Sequence, residues 1–196
     1  MNSDKKNLSI YFDKRMLRIL LLGAISGFPW VIIGSALTPW LKEDGISRSA
    51  IGWAGLIFGV YAINFLWAPL IDRIRVPILT SLIGHRKAWI ISLQFIIFIS
   101  LIFWSLLSPL DNLGLIVFIG LIIAISSASQ DITIDALRIE QIKKDETSAM
   151  AAGAAIAVVG WGSGYKLGGL ITLISADWLQ DLGFVNYWQI TFIMIC

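Results

Sequence analysis

The sequence predicts an all-helical integral membrane protein, a bundle of six helices. Two observations carry that prediction. Of its 196 residues 57% are hydrophobic and only 14% charged, with a mean hydropathy of +0.80. A soluble domain carries about 25% charged residues, so too little charge is present to cover a water-facing surface. Apolar segments near 20 residues, the length that crosses a hydrocarbon core of about 30 Å, recur along the whole chain. This composition excludes disorder and coiled coil. A net charge of +2 with no basic, aromatic-studded groove excludes a nucleic-acid binder.

The elements follow in order. Residues 1–16 are polar, lack the apolar run and cleavage site of a secretory signal, and form a tail. Spans are predicted at 17–41, 49–71, 88–108, 113–137 and 150–174. A sixth starts near Gly183 and is incomplete at Cys196. Its residues 183–196 would reach about 21 Å as a helix. Either it is an atypical half-span or the chain is a piece of something longer.

Basic residues orient the bundle. The tail and first turn carry Lys5, Lys6, Lys14, Arg15 and Arg18. The second loop carries Arg73, Arg75, Arg86 and Lys87, and the fourth Arg138, Lys143 and Lys144. Against these twelve, the opposite side has only Lys42 and Arg48. The N-terminus is therefore expected in the cytoplasm.

Several residues do not belong in lipid. Pro29 removes a backbone donor and predicts a bend in span one, among Gly23, Gly27 and Gly34. These small residues suit close packing or a flexing gate helix. Gly160, Gly164 and Gly168 make a small-residue stripe on span five that lets a neighbouring backbone approach. Lys166 lies deep in span five, where a charge costs roughly 2.5–3.5 kcal/mol, so a wet cavity is expected beside it. Asn64 and Gln94 are further polar groups at membrane depth.

Asp131 and Asp135, four apart, share a face of span four, after Ser126-Ser127-Ala128-Ser129-Gln130. Two roles suit them: a salt-bridged gate with the basic loops, or, for Asp131, a proton or substrate site. Asp72 and Arg73 close span two, and Gly84-His85-Arg86-Lys87 opens span three. A carboxylate of span four is expected within salt-bridge distance of Arg73 or Arg86. His85 is expected to be solvated, and no metal site or other cofactor is implied. The lone Cys196 makes no intramolecular disulfide or zinc site.

These strings also carry a family resemblance. Asp72-Arg73 followed by Gly84-His85-Arg86-Lys87 resembles the loop motif of the major facilitator superfamily. Phe65-Leu66-Trp67-Ala68-Pro69-Leu70-Ile71-Asp72-Arg73, Ser127-Ala128-Ser129-Gln130-Asp131-Ile132, Ser26-Gly27-Phe28-Pro29 and Gly153-Ala154-Ala155-Ile156 look like the AmpG muropeptide permease family. Asn64 and Gly162 stand where that pattern has basic residues, and Lys166 follows Gly162 by one turn.

The resemblance implies the N-terminal six-helix half of a larger bundle, not an enzyme. It implies a bacterial inner-membrane symporter that imports anhydro-muropeptides with protons for cell-wall recycling, using a second six-helix half. The expected solute and proton pathway comprises Asn64, Gln130, Asp131 and Lys166. The expected cytoplasmic gate comprises Asp72, Arg73, Arg86 and Asp135. The alternatives are a truncated, non-transporting remnant of such a permease and an intramembrane lipid-headgroup enzyme. The second would use Asp131 and Asp135 on metal but lacks the further acidic partners that chemistry needs.

Overall fold

The computed structural model describes residues 10–143 and 145–196. Lys5, Lys6 and Lys144 of the charge pattern lie outside them. The described residues fold into helices joined by short turns.

α1 spans Lys14–Glu43. It starts earlier than the apolar pattern suggests, because the Asp13 side chain caps it by accepting from the Arg15 backbone N–H at 2.9 Å. Residues 14–16 thus belong to α1 rather than to the tail. The expected departure near Pro29 takes the form of a π-helical stretch, Ile32–Ala36, just beyond it.

α2, Arg48–Leu66, follows a turn in which Gly45 takes a positive φ of 82°. The apolar stretch predicted as one span is broken at Trp67 and resumes as a short helix, Ala68–Arg73. Pro69 has no N–H to donate back to Phe65, so the α ladder is interrupted at this point.

α3 covers His85–Ser105, α4 Pro109–Glu140, α5 Thr147–Asp181 and α6 Tyr187–Met194. Inside α4, Asn112 is non-helical, with φ −131° and ψ 30°. Among the described residues, α1 to α4 are long and apolar enough to cross a membrane. α5 is longer than any of them, about 52 Å, but Gly, Ser163, Tyr165 and Lys166 dilute its apolarity. α6, at eight residues, is too short.

Packing separates the helices by role. α1 and α5 meet backbone to backbone: a methyl placed on Gly23 would sit 2.6 Å from the Ala157 carbonyl, and one on Gly164 would collide with Ala24. The predicted glycine stripe of α5 therefore has α1 as its partner. At the far end of the bundle Trp40, Trp104 and Phe192 form a buried triangle, with ring centroids 4.9–5.7 Å apart. α6 is tied to α1 there, since Tyr187 Oη and Trp188 Nε1 each donate to Glu43 at 2.6 Å. α2 is the outlier. Only 17% of its apolar window is buried, against 44–50% for α1, α3 and α4, so it lies at the edge of the bundle.

Candidate functional site

A cleft of about 340 Å³ opens between α1, α4 and α5. Gly23 and Ser26 of α1, Asp131, Asp135 and Arg138 of α4, and Trp161 of α5 line it. α1 can come this close to α5 because glycines replace side chains along their contact. That approach leaves Ser26 aimed across the cleft, and its hydroxyl donates to the Asp131 carboxylate. Asp131 forms no ion pair among the described residues. Its neighbour Asp135 instead pairs with Arg138 of the same helix at 3.1 Å. Asp131 is thus held by a neutral donor rather than by a cation.

One step along α4 turns a side chain by about 100°, and Gln130 consequently faces elsewhere. It is fully buried, and its Nε2 donates to Gln94 Oε1 of α3 at 3.1 Å. Of the expected pathway pair Gln130 and Asp131, Asp131 lines the cleft and Gln130 joins α4 to α3. Asn64 sits half-buried in a 3₁₀ turn at the end of α2, outside the cleft. Lys166 is exposed on the open face of α5, beside Leu167 and Leu170, with no polar partner among the described residues.

At the basic end of the bundle Arg86 bridges two helices. Its Nη1 meets Asp72 Oδ1 at 2.6 Å and its Nε meets Glu140 Oε1 of α4 at 2.9 Å. The Arg86 side chain is 17% exposed and both acids 54%, so the cation is the sheltered member. Arg73 is exposed and pairs with no acid among the described residues. Of the four expected gate residues, Asp72 and Arg86 come together, while Asp135 and Arg73 stand apart. His85 is not simply solvated: its Nε2 hydrogen-bonds the Ile71 carbonyl at 2.9 Å, and Trp89 Nε1 donates to the Ile74 carbonyl at 2.8 Å. Both bonds tie the loop from α2 down onto α3.

Five rings lie beside the cleft at mid-depth. Trp30 sits 4.4 Å from Tyr61, 5.2 Å from Phe58 and 6.0 Å from Trp161 between centroids. Trp161 stacks parallel on Tyr165 at 5.6 Å. All five are half-buried. Trp and Tyr ordinarily collect at the two membrane surfaces, whereas these five rings stand about 15–27 Å along their helices. Such a wall suits a wetted face better than lipid.

No family model matches the chain. Curated relatives do match it. A protein of Rickettsia felis named as an AmpG 4 transporter is 36% identical over 186 residues, 95% of this chain and 43% of the relative. The anhydromuropeptide permease of Escherichia coli K12 is 32% identical over 191 residues, 96% of this chain and 37% of that protein. A Rickettsia bellii protein named as an AmpG 1 transporter is 38% identical over 166 residues, 83% of this chain and 38% of the relative. The chain is a homologue of the AmpG permeases.

It spans about two fifths of the length of these AmpG relatives, which are membrane permeases of the major facilitator type rather than enzymes. Within this AmpG homologue the residues that sequence reasoning missed share one trait: their partners are distant in the chain. Glu140 lies past the predicted end of span four, yet it is the span-four carboxylate that reaches Arg86. Glu146 binds Arg15 Nη1 at 2.7 Å, clamping the start of α1 to the turn before α5. Trp67 Nε1 donates to Ser129 Oγ at 3.0 Å, tying the break after α2 to α4. Among the described residues no cluster of three or more His, Cys, Asp or Glu could hold a metal ion.

Proposed function

We propose that this chain forms a six-helix half of an AmpG-like permease that imports anhydro-muropeptides together with protons across the bacterial inner membrane. The tail before α1 and the helix ends carrying Arg73, Arg86 and Arg138 lie in the cytoplasm. The observation that carries the reading is the Ser26–Asp131 hydrogen bond in the cleft between α1, α4 and α5. An ionisable residue at membrane depth, facing a cleft rather than lipid, is the ordinary mark of an ion or substrate path.

In this reading Asp131 takes and releases the proton, and Ser26 holds its carboxylate in place when it is charged. The mid-depth aromatic wall of Trp30, Tyr61 and Trp161 forms the solute-facing side. Asn64 and Lys166, on the less covered faces of α2 and α5, meet the second half, which comes from another polypeptide or a second copy. Binding sites at the junction of two helical repeats are general in secondary transporters. Arg86, with Asp72 and Glu140, holds the cytoplasmic side closed and separates when the halves rock.

The test is uptake of a radiolabelled anhydro-muropeptide by cells that lack their own permease. The chain expressed with a second six-helix half is expected to restore uptake, and to lose it when the proton gradient is collapsed. Uptake no greater than in the empty cells, with both polypeptides in the membrane, would overturn the proposal.

A further inference from the structure

A second depression, of about 590 Å³, lies at the basic end of the bundle between α1, α3 and α4, away from the Asp131 cleft. Its volume falls in the range of about 300–1,000 Å³ typical of small-ligand sites. Its floor is apolar, built from Leu21 and Ile25 of α1, Ile91 of α3 and Leu137 of α4. Two cations stand on its rim: Arg18, in the second turn of α1, and Lys87, in the first turn of α3. Both are exposed, and neither forms an ion pair among the described residues. Gln141 also lines the depression, and its Oε1 is buried without a hydrogen-bond partner there.

The surroundings identify the occupant. α3 carries Ile91, Phe95, Phe98, Ile102 and Phe103 exposed along its length, an uninterrupted apolar face that suits acyl chains. The groove therefore opens where lipid is the solvent, at the level where the helices begin. Two unpaired cations above an apolar trough match one amphiphile: an anionic headgroup over hydrocarbon chains. Basic pockets between membrane helices are a known way of holding such lipids.

We propose that this groove binds an anionic phospholipid, with its phosphate between Arg18 and Lys87 and its acyl chains over Leu21, Ile25 and Ile91. Phosphatidylglycerol, with one phosphate above two acyl chains, has this form. The inference rests on the membrane location of the chain and is independent of what the chain transports. A bound lipid here would bridge the starts of α1 and α3 to the end of α4, next to the Arg86–Glu140 contact.

Native mass spectrometry of the purified chain, released from vesicles of equal phosphatidylglycerol and phosphatidylcholine content, tests the site. The wild-type chain is expected to retain phosphatidylglycerol preferentially. R18Q/K87Q is expected to lose about 25-fold of that preference, roughly fivefold for each cation. R75Q/K143Q removes the same charge at the same end but outside the groove and is expected to keep the preference, as is the charge-conserving R18K/K87R. Equal loss in R75Q/K143Q, full preference in R18Q/K87Q, or no preference in the wild-type chain would each overturn the site.

Discussion

Ser26 on α1 donates a hydrogen bond to Asp131 on α4, across a sequence separation of 105 residues. The contact exists because α1 is drawn inward by its glycine contact with α5. Anything that pushes α1 and α5 apart therefore also disturbs the carboxylate.

Gly164 provides the first test of that coupling. A methyl there would strike the α1 backbone at Ala24, whereas one at Gly162 meets nothing within 4 Å. Gly164→Ala is expected to destabilise the bundle by about 1–3 kcal/mol, the usual cost of overpacking, and Gly162→Ala to leave stability unchanged within about 0.5 kcal/mol. Thermal unfolding in detergent compares the two directly. Equal effects would show that the stripe is not a packing seam.

The Arg86 bridge predicts a hierarchy. Removing the sheltered cation strands two acids, whereas removing one acid leaves Arg86 the other. Arg86→Gln should therefore cost more than either Asp72→Asn or Glu140→Gln. Each half-exposed pair is worth about 0.2–1 kcal/mol, which a double-mutant cycle of Arg86 with Glu140 measures. Zero coupling in that cycle would remove Glu140 from the gate.

The clamp at the start of α1 depends on pH with a definite sign. Hydrogen bonds from Arg15 hold the carboxyls of Asp13 and Glu146 below their ordinary values of 3.8 and 4.5. Groups with depressed values stabilise the folded form above the ordinary range and lose that contribution as pH falls through the lowered values. Hydrogen exchange at residues 14–18 should thus be slow at pH 6 and faster, after correction for intrinsic rates, as pH drops below about 4. Glu146→Gln should raise the exchange rate at pH 6 and flatten this dependence. The same pH dependence in Glu146→Gln as in the parent chain would exclude the clamp.

Orientation is open to a direct test. Single cysteines replacing Asp111 and Asp145, in a chain carrying Cys196→Ser, report the two sides. An impermeant thiol reagent added outside intact cells should label position 111 and spare position 145. The reverse pattern would contradict the placement of the basic loops in the cytoplasm.

The helical class was legible because apolarity is a property of each segment alone. So was the glycine stripe of α5, since spacing by four defines one face before any partner is known. The partner was not legible: nothing local to Gly160 or Gly164 points to Leu20 or Ala24. The Asp131 site was half legible. Counting from Leu113 puts Asp131 about 27 Å along span four, just inside the cytoplasmic boundary, but the rotation that sends Asp131 to Ser26 and Gln130 to Gln94 is set by how α1 and α3 pack on either side. Glu140 and Glu146 were invisible for a different reason: they lie beyond the apolar segments, where helix ends and turns are decided by caps and contacts rather than by hydropathy. The break at Trp67 had a local signal in Pro69, overridden in the sequence by the continuous apolar run around it. The aromatic wall had none, because Trp30, Tyr61 and Trp161 come from three separate helices.

Asp131 is proposed to carry the transported proton. The measurement that tests it most directly is uptake of labelled anhydro-muropeptide driven by an imposed pH gradient, in vesicles holding the chain with the proposed second half at matched protein levels. Asp131→Asn is expected to lower gradient-driven uptake by about tenfold or more, as loss of a proton-carrying group should, while Asp131→Glu retains part of it. Gradient-driven uptake by Asp131→Asn equal to that of the parent chain would contradict the account.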